Sequence, residues 1–456
     1  MVTIDDRKAA FAACTAASFL TPLMGSSVNL ALPTISREFA MDALSLSWVA
    51  TSFLLAAAMF LVPFGRLADI YGRKRIFVYG IILFTLFSFL CGFASSGSVL
   101  IALRALQGLG AAMIFATSVA ILTSAFPAAE RGKVLGVNVA AVYTGLSVGP
   151  FFGGMLTHYF GWRSIFYANA LLGFLISVLV VWRLKSEWAE SRGERFDIPG
   201  SLIYTVSLTL LMIGFSKLPG PTGLWTSLTG VGGLVGFVVW ERKAPKPLLD
   251  ISLFARNVVF TFSNLAALIN YSATSAVTFL ISLYLQYIKG LDPQSAGFIL
   301  IAQPIMMAVF SPIAGRLSDS VEPRILSSFG MGIISIMLAL IAFVGSGTST
   351  TLLIMYLLFL GFGFALFSSP NTNAVMSSVE KRWYGVASAT LGTMRLTGQM
   401  LSMGIVMLIF AVTMGNARIT PQYFPAFLQS MQIAFFVFSV LCIIGVFASL
   451  ARGKVR

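Results

Sequence analysis

The sequence is poor in charge and nearly devoid of histidine, and both absences exclude large classes of function. Only 10% of its 456 residues are Asp, Glu, Lys or Arg, whereas globular proteins carry about 25%. His158 is the only histidine, so a histidine-based catalytic triad or metal site has almost no side chains to use. We therefore predict that the protein is not an enzyme and that it needs no metal or cofactor.

Cysteine is also scarce. Cys14, Cys91 and Cys442 lie far apart in the sequence, each inside an apolar run. This spacing predicts buried hydrophobic side chains rather than a disulfide framework or a metal cluster.

The chain consists instead of long apolar runs, with 57% hydrophobic residues and a mean hydropathy of +0.90. A membrane-spanning helix needs about 20 mostly apolar residues to cross the hydrocarbon core. Fourteen runs meet this requirement, and the shortest of them is also rich in glycine. The predicted spans are 9–32, 46–66, 75–95, 98–125, 133–157, 161–182, 199–217, 224–240, 257–287, 294–315, 325–345, 349–376, 383–414 and 426–450. They predict an all-α polytopic membrane protein with fourteen transmembrane helices.

The distribution of Lys and Arg predicts the orientation, because basic residues concentrate in cytoplasmic loops. With the N-terminus inside, 23 of the 30 basic residues fall in cytoplasmic segments, and two fall within spans. The other five lie in external loops: Arg37, Arg163, Lys217, Lys289 and Arg418. We expect a multi-pass protein of the cell inner (plasma) membrane with both termini in the cytoplasm. Orientation and anionic lipid headgroups then explain the net charge of +14 better than nucleic acid does.

Two polar stretches, Lys185–Pro199 and Glu241–Asp250, divide the chain into three parts. They predict an N-terminal six-helix bundle at 1–183, a linker with two inserted transmembrane helices at 184–255, and a C-terminal six-helix bundle at 256–456.

The two six-helix groups share motifs at a single offset of 250 residues. The motif Gly65–Asp69 is repeated at Gly315–Asp319, and Glu130-Arg131 is matched by Glu380-Lys381-Arg382. Two matches at one offset indicate a duplicated unit. We therefore predict two pseudo-symmetric bundles plus an inserted helix pair, the architecture of a transporter whose substrate site lies between its halves near the bilayer midplane.

The segment Gly65-Arg66-Leu67-Ala68-Asp69-Ile70-Tyr71-Gly72-Arg73-Lys74-Arg75 resembles the signature loop of the major facilitator superfamily. Glycine allows a tight turn and a close approach of helices. The resemblance implies a cytoplasmic gate that includes Gly65, Asp69 and Arg73, with Asp319 in the second copy. Asp69 would pair with Arg73 and face a helix N-terminus of the opposite half.

Helix 4 carries Arg104-Ala105-Leu106-Gln107-Gly108-Leu109-Gly110-Ala111, which resembles the fourth-helix motif of the same superfamily. The matching arginine of that family is linked to proton coupling. The alternative is that Arg104 snorkels to the external surface a few residues away.

Helix 5 carries Gly145-Leu146-Ser147-Val148-Gly149-Pro150-Phe151-Phe152-Gly153-Gly154, which is similar to the antiporter motif of exporting members. Gly145, Gly149, Gly153 and Gly154 would permit close helix packing, and Pro150 removes a backbone hydrogen bond and bends the helix. The motif therefore favours export over import.

Asn29-Leu30-Ala31-Leu32-Pro33, the inserted pair and Leu253-Phe254-Ala255-Arg256-Asn257 resemble the fourteen-helix drug:proton antiporter branch. That branch has an aspartate in helix 1 where this chain has Met24. All sixteen Asp and Glu residues lie in termini, loops or helix ends, so the predicted cavity holds no carboxylate. Without an opposing charge a buried cation is unfavourable, and we expect neutral or anionic amphipaths to be preferred.

By repeat position, helices 1, 4, 9 and 12 line the cavity, and Arg395 of helix 13 adds a second arginine within a span. The candidates for coupling or substrate binding are Asn29, Arg104, Gln107, Thr117, Asn270, Tyr271, Asn371, Asn373 and Arg395. Each of the uncharged candidates could instead satisfy a hydrogen bond between helices.

The sequence therefore predicts a secondary active exporter that moves small amphipathic molecules by alternating access and is coupled to protons. The alternative is an uncoupled carrier of an anionic metabolite or a lipid. The expected partners are the substrate, protons and the lipid bilayer, with no nucleic acid, and a monomer suffices for this mechanism.

Overall fold

The computed structural model of the protein describes residues 4–245, 247–249, 254, 257–318, 320–380 and 384–453. Fourteen helices in these ranges are long and apolar enough to cross a membrane, which confirms the predicted fold class. Cys14, Cys91 and Cys442 are buried and unpaired, as their apolar surroundings predict.

We number the membrane-spanning helices α1 to α14 in chain order. Their bounds are α1 Ile4–Phe39, α2 Ala43–Tyr71, α3 Arg73–Cys91, α4 Gly97–Ala125, α5 Ala128–Phe160, α6 Arg163–Arg183, α7 Ile198–Lys217, α8 Pro221–Glu241, α9 Val258–Ile288, α10 Pro293–Leu317, α11 Pro323–Ile341, α12 Thr350–Ser377, α13 Tyr384–Thr413 and α14 Phe424–Ala451. Two of them are segmented: α9 into Val258–Thr274, Val277–Leu283 and a π-helical turn at Tyr284–Ile288, and α10 into Pro293–Leu300 and Ala302–Leu317. Each predicted span, including 224–240, overlaps one helix.

Short polar side chains begin several helices by accepting hydrogen bonds from otherwise unpaired backbone N–H groups. Asp42 accepts from Ser45 N at 2.6 Å, and Ser96 accepts from Val99 N at 3.3 Å. Asp292 accepts from the backbone N–H groups of Gln294 and Ser295. These caps fix tight turns between antiparallel helices.

The predicted loop at 65–75 differs from the structure, because α2 continues to Tyr71 and only Gly72 separates it from α3. Asp69 and Arg73 are therefore four residues apart on nearly continuous helix, where their side chains meet. The backbone N–H of Ser191 donates to Asp69 O at 2.9 Å, which helps to satisfy the last turn of α2.

The helices pack as two similar groups. Within the first group α1 packs on α5, α2 on α4 and α3 on α6; within the second, α9 packs on α13, α10 on α12 and α11 on α14. The groups meet where α5 packs on α10 and α2 packs on α13. The repeat relates α2 to α10 and α5 to α13, so it converts each of these two contacts into the other. The inserted helices α7 and α8 pack on each other, and α7 also contacts α2 and α13. The domain boundaries predicted within the loops stay predictions.

The antiparallel helices define two ends of the molecule. The terminal face holds residues 4 and 453, Gly72 and the 184–197 linker, and the distal face holds the turns at 40–42, 161–162 and 289–292. We expect the terminal face to be cytoplasmic.

The inserted pair gives a direct test of this topology. A cysteine at Thr222, which is exposed at the distal-face start of α8, should react with an impermeant thiol reagent applied from outside the cell. The matched variant Arg192→Cys, exposed in the terminal-face linker, should react only after permeabilisation. The three native cysteines are buried and should contribute little background. Labelling of Thr222→Cys from the cytoplasm alone would contradict the fourteen-helix topology.

Candidate transport pathway and gates

Hydrogen bonds to backbone carbonyls join the two halves in their distal part. Ser282 Oγ of α9 donates to Asn29 O of α1 at 2.8 Å, and Gln286 Nε2 donates to Leu30 O at 3.1 Å. At the distal face itself, Ala43 N donates to Ala417 O at 3.1 Å. These contacts close the distal half of the interface.

The antiporter-motif glycines allow α5 to lie directly against two other helices. A Cβ at Gly145 or Gly149 would collide with α1, and one at Gly153 would lie 2.5 Å from Ser27 O. A Cβ at Gly154 would instead collide with the backbone carbonyl of Pro293 in α10. The motif therefore serves the packing of α1 within its half and the contact of α5 with the opposite half.

The contact between α5 and α10 is continued by a histidine–aspartate pair at the distal face. His158 Nδ1 lies 3.5 Å from Asp292 Oδ1, with both side chains about two-fifths exposed. Hydrogen bonds, chiefly from the Ser295 side chain and then from the backbone of Ser295 and Gln294, lower the pKa of Asp292 despite partial burial, and the charge of His158 adds to this effect. Asp292 is therefore ionised near neutral pH.

Four side chains from both halves meet midway along the helices, and we call them the central polar cluster: Tyr143 of α5, Tyr271 of α9, Ser368 of α12 and Arg395 of α13. The Arg395 guanidinium lies over the Tyr271 ring, 5.3 Å from its centroid. Tyr143 hydrogen bonds Ser368 across the interface, and its hydroxyl lies near that of Tyr271. The cluster thus places one fixed positive charge and two phenols between the halves.

The cluster retains unused hydrogen-bonding capacity. Arg395 Nε is buried and has no hydrogen-bond partner in the described part of the chain. Asn270, next to Tyr271, is fully buried, and both atoms of its amide lack a partner among the described residues. An unpaired buried polar group costs about 1–3 kcal/mol, so these groups favour the binding of a polar ligand or water.

Arg104 lies elsewhere, enclosed by α2, α3 and α4 of the N-terminal half. It is 1% exposed, and its Nε donates to Val49 O at 3.2 Å. Its Nη1 donates to Gln107 Oε1 at 2.5 Å, and its Cζ lies 4.3 Å from the centroid of the Phe53 ring. Gln107 in turn donates to Ser88 Oγ. The snorkelling hypothesis for Arg104 is therefore wrong, because its charge is bound inside the bundle.

Asn371 is likewise bound within one half. Its Nδ2 donates to Ser263 O at 3.1 Å, and its Oδ1 accepts from Arg452 Nη1 at 2.9 Å. Arg452 is fully buried and also donates to Pro323 O and Ser449 Oγ. This arginine, which lies just beyond the predicted span 426–450, joins α9, α11, α12 and α14.

The remaining candidates make other hydrogen bonds. Asn29 contributes its backbone carbonyl to the distal contact, Thr117 donates to Met113 O in its own helix, and Asn373 donates to Ser318 Oγ at 2.8 Å. Met24, which replaces the expected aspartate, is fully buried in the apolar core.

On the terminal face, Arg73 is the centre of the predicted gate. Its Nε donates to Asp69 Oδ1 at 2.8 Å, and its Nη1 donates to Glu190 Oε1 of the linker at 2.7 Å. Burial raises the pKa of Glu190, but the charge and hydrogen bonds of Arg73, with Ser124 and Arg131, lower it overall. The contact is therefore present near neutral pH and is lost as acidification protonates Glu190.

The 184–197 linker also supplies the missing cap of α3. Glu187 accepts hydrogen bonds from the backbone N–H groups of Lys74 and Arg75 at 2.8 and 3.2 Å. Gly72 has φ +122°, and a Cβ there would lie 2.5 Å from Glu187 Cδ. Arg66 pairs with Glu194 farther along the linker at 2.5 Å. The linker thus binds residues 65–75, which we call the gate segment, on the N-terminal half.

Part of the predicted gate and of two motifs lies outside the described residues. This holds for Asp319, for Lys381 and Arg382, and for Leu253, Ala255 and Arg256. Gly65 lies in the last turns of α2, with no atom closer to its Cβ position than Ala116 Cβ at 3.9 Å.

A sequence model described as the Major Facilitator Superfamily matches residues 14–403. The chain belongs to the major facilitator superfamily. This is a family of membrane transporters, so the protein is a transporter and not an enzyme.

Several relatives within the superfamily carry functional names. The chain is 30% identical to the riboflavin transporter RibZ of Clostridioides difficile, over 94% of this chain and 93% of that protein. It is 33% identical to the multidrug resistance protein Stp of Mycobacterium tuberculosis, over 83% and 71%. It is 31% identical to the cephamycin export protein CmcT of Amycolatopsis lactamdurans, over 97% and 92%.

A solved structure shares the superfamily fold. It is the crystal structure of a bacterial homologue of the human lysosomal transporter Spinster in an inward-facing and unoccupied conformation, with a TM-score of 0.71 at 16% identity. The match covers 99% of this chain and 98% of that one.

Sequence reasoning found two members of the central polar cluster, Tyr271 and Arg395, and missed the other two. Tyr143 lies two residues before the antiporter motif and Ser368 three residues before Asn371. The repeat could have pointed to the helix of Tyr143, since α5 is the counterpart of α13, which carries Arg395; no such signal marked Ser368.

The capping of α3 predicts a stability defect in Gly72→Ala. Backbone strain at φ +122° costs about 1–3 kcal/mol, and the clash with Glu187 adds to it. Gly193→Ala is a matched control, because Gly193 also has a positive φ, +86°, but has no atom within 4 Å of its Cβ position. We expect a larger fall in unfolding temperature in detergent for Gly72→Ala. Adding Glu187→Ala should give less than the sum of the two single effects; additive effects would contradict the clash.

The enclosure of Arg104 predicts that Arg104→Lys destabilises the N-terminal bundle. An ammonium cannot reproduce the planar fork that reaches Val49, Gln107 and the Phe53 ring, and the expected cost is about 1–3 kcal/mol. Arg163→Lys, at an exposed pair with Glu38, should cost about 0–1 kcal/mol. Both costs are measured as thermal unfolding of the purified variants. A coupling role would also lower transport per folded molecule, and unchanged transport in Arg104→Lys would count against it.

Proposed function

We propose that the protein exports small neutral or anionic amphipathic molecules by alternating access, driven by a proton gradient. The observation that carries the proposal is the central polar cluster, in which Arg395 and two tyrosines from opposite halves meet midway along the helices. A site shared by both halves changes its shape when one half rocks against the other.

The chemistry of the cluster favours a substrate with an acidic or strongly polar group and an aromatic or apolar body. A guanidinium binds carboxylates and phosphates by charge-assisted hydrogen bonds, and the phenol rings stack on apolar surfaces. In the described part of the chain, none of the hydrogen bonds of the cluster involves a carboxylate. A permanent cation would therefore have to be held by aromatic faces alone, at about 0.5–2 kcal/mol.

The contacts in the distal part support alternating access. They consist of hydrogen bonds to backbone carbonyls, glycine-mediated packing and the exposed His158–Asp292 pair. Exposed pairs contribute about 1 kcal/mol or less, so the distal half can separate at modest cost. The gate at Asp69 and Arg73 would close the terminal face in the opposite state.

Export is favoured by the packing of the antiporter motif and by relatives named for multidrug resistance and for cephamycin export. The second candidate is an uncoupled carrier of an anionic metabolite or a lipid, which the positive charge of Arg395 favours. The two candidates differ in their dependence on a proton gradient.

Charge selectivity tests the role of Arg395. In proteoliposomes, a matched anionic and cationic pair of amphipathic dyes should be transported unequally, with the anion preferred. Arg395→Gln removes a charged hydrogen-bond donor worth about 1.5–3 kcal/mol and should weaken anion binding about tenfold or more. Arg395→Lys keeps the charge and should retain part of the preference. Equal handling of both dyes by the wild type and both variants would remove the proposed site.

An imposed pH gradient separates the two candidate functions. With the lumen of inverted vesicles acidic, a proton-coupled exporter accumulates the anionic dye in the lumen against its concentration gradient, and collapse of the gradient with a protonophore abolishes accumulation. Equilibration without accumulation, at the same rate with and without the gradient, would favour the uncoupled carrier.

A further inference from the structure

The inserted helix pair carries two acidic groups that the proposed transport cycle does not use. Asp197 begins α7, where its Oδ1 accepts from Gly200 N at 3.0 Å. Glu241 ends α8 and is only 3% exposed. Because α7 and α8 are antiparallel and packed together, the two acids meet at the terminal face.

The hydrogen bonds of the pair leave one buried oxygen without a donor. Asp197 accepts from Trp240 Nε1 at 3.0 and 3.2 Å, and Glu241 Oε2 accepts from Leu249 N at 3.0 Å. Glu241 Oε1 is buried, and no N–H or O–H group of a described residue donates to it. The Glu241 side chain lies instead within hydrogen-bonding reach of the Asp197 carboxyl.

Gly200 provides the space in which the two carboxyl groups meet. A Cβ at this position would collide with Asp197 Oδ2 and would lie 2.7 Å from Glu241 Oε1. Any larger residue would therefore displace one of the two acids. A glycine at position 200 therefore leaves room for the two carboxyl groups side by side.

We propose that Asp197 and Glu241 hold one proton between them and form a proton-binding site at the terminal-face end of the inserted pair. Two ionised carboxylates in contact repel each other, whereas a shared proton converts the repulsion into a hydrogen bond. Trp240 Nε1 donates to Asp197 and so supports the single negative charge of the pair.

No described cation lies in direct contact with the pair. The described basic residues that adjoin it in sequence, Arg195, Arg242 and Lys243, have exposed side chains. Of the helices packed against α7, α2 contributes Arg66, which pairs with Glu194, and α13 contributes Arg395 of the central polar cluster. Lys246 and Asp250 lie outside the described residues.

Helix α7 connects this site to both halves of the protein. Tyr204 Oη donates to Ala58 O of α2 at 3.2 Å, and α7 also packs on α13. Loss of the shared proton would therefore loosen the end of a helix pair that contacts both moving halves. The site lies apart from the central polar cluster, so its titration does not require transport.

Infrared titration of the purified protein, without substrate and without a gradient, tests the site. The wild type should show the band of a protonated carboxyl at about pH 6, where ordinary carboxylates are ionised, and the band should disappear as the pH rises. Glu241→Gln and Asp197→Asn should each lose this band, because an amide N–H then takes the place of the shared proton in the hydrogen bond to the remaining carboxylate. We expect both variants to keep the fold. Glu130→Gln, at an exposed acid of the same face, should leave it unchanged.

Two further readouts separate proton sharing from a merely structural contact. The fluorescence of Trp240, assigned by its loss in Trp240→Phe, should change over the same pH range in the wild type and stay constant in Glu241→Gln. Gly200→Ala should remove the band although both acids remain. A band that survives either single amide substitution would overturn the proposal. A change in Trp240 fluorescence on addition of Ca²⁺ at constant pH, with no change when the pH is varied, would also overturn it. Either result is independent of whether the protein exports a substrate.

Discussion

A guanidinium buried among apolar helices must exchange its water for protein dipoles, and this requirement organises much of the structure. Arg104 is bound by a backbone carbonyl, an amide and an aromatic ring within the N-terminal half. Arg452 is bound by a carbonyl, two hydroxyls and an amide within the C-terminal half. The hydrogen-bond partners of both arginines are neutral, so these contacts link several helices without a charged acceptor. The two halves therefore have their own polar cores.

Arg395 differs from these two arginines because its partners lie between the halves. It rests on the Tyr271 ring and interacts electrostatically with Tyr143 of the opposite half, which in turn hydrogen bonds Ser368. Its Nε remains without a partner in the described residues. A buried charge that is incompletely satisfied by the protein favours a ligand that completes it. This contrast separates two arginines that hold a bundle together from the one to which we assign the proposed substrate site.

The contacts between the halves are suited to repeated opening. Gly154 of α5 brings backbone against backbone at α10, and main-chain carbonyls, which remain in place when a partner leaves, accept the hydrogen bonds in the distal part. In the proposed alternating-access cycle each half would move as a body, because packed interiors resist gradual distortion. The linker reinforces this division, since it binds the gate segment through Glu187, Glu190 and Glu194 on the same half.

The number and order of the helices could be predicted from sequence, because a membrane span is a property of local composition and length. The weak span at 224–240 was predictable for the same reason, and the 250-residue repeat indicated which helices would pack alike. The packing glycines were also readable, since their spacing of four places them on one helix face. Even the predicted absence of a central carboxylate needed only the positions of the sixteen acids.

Only the tertiary structure decided which polar residue meets which partner. Gln107, Asn371 and Arg395 all lie within spans and look equivalent in sequence, yet the first two are bound inside single bundles and only the third lies between the halves. The rotation of each helix about its axis makes this difference, and that rotation is set by packing against neighbours distant in sequence. For the same reason the meeting of Asp197 with Glu241, two acids at opposite ends of the inserted pair in sequence, became visible only once α7 and α8 were packed side by side.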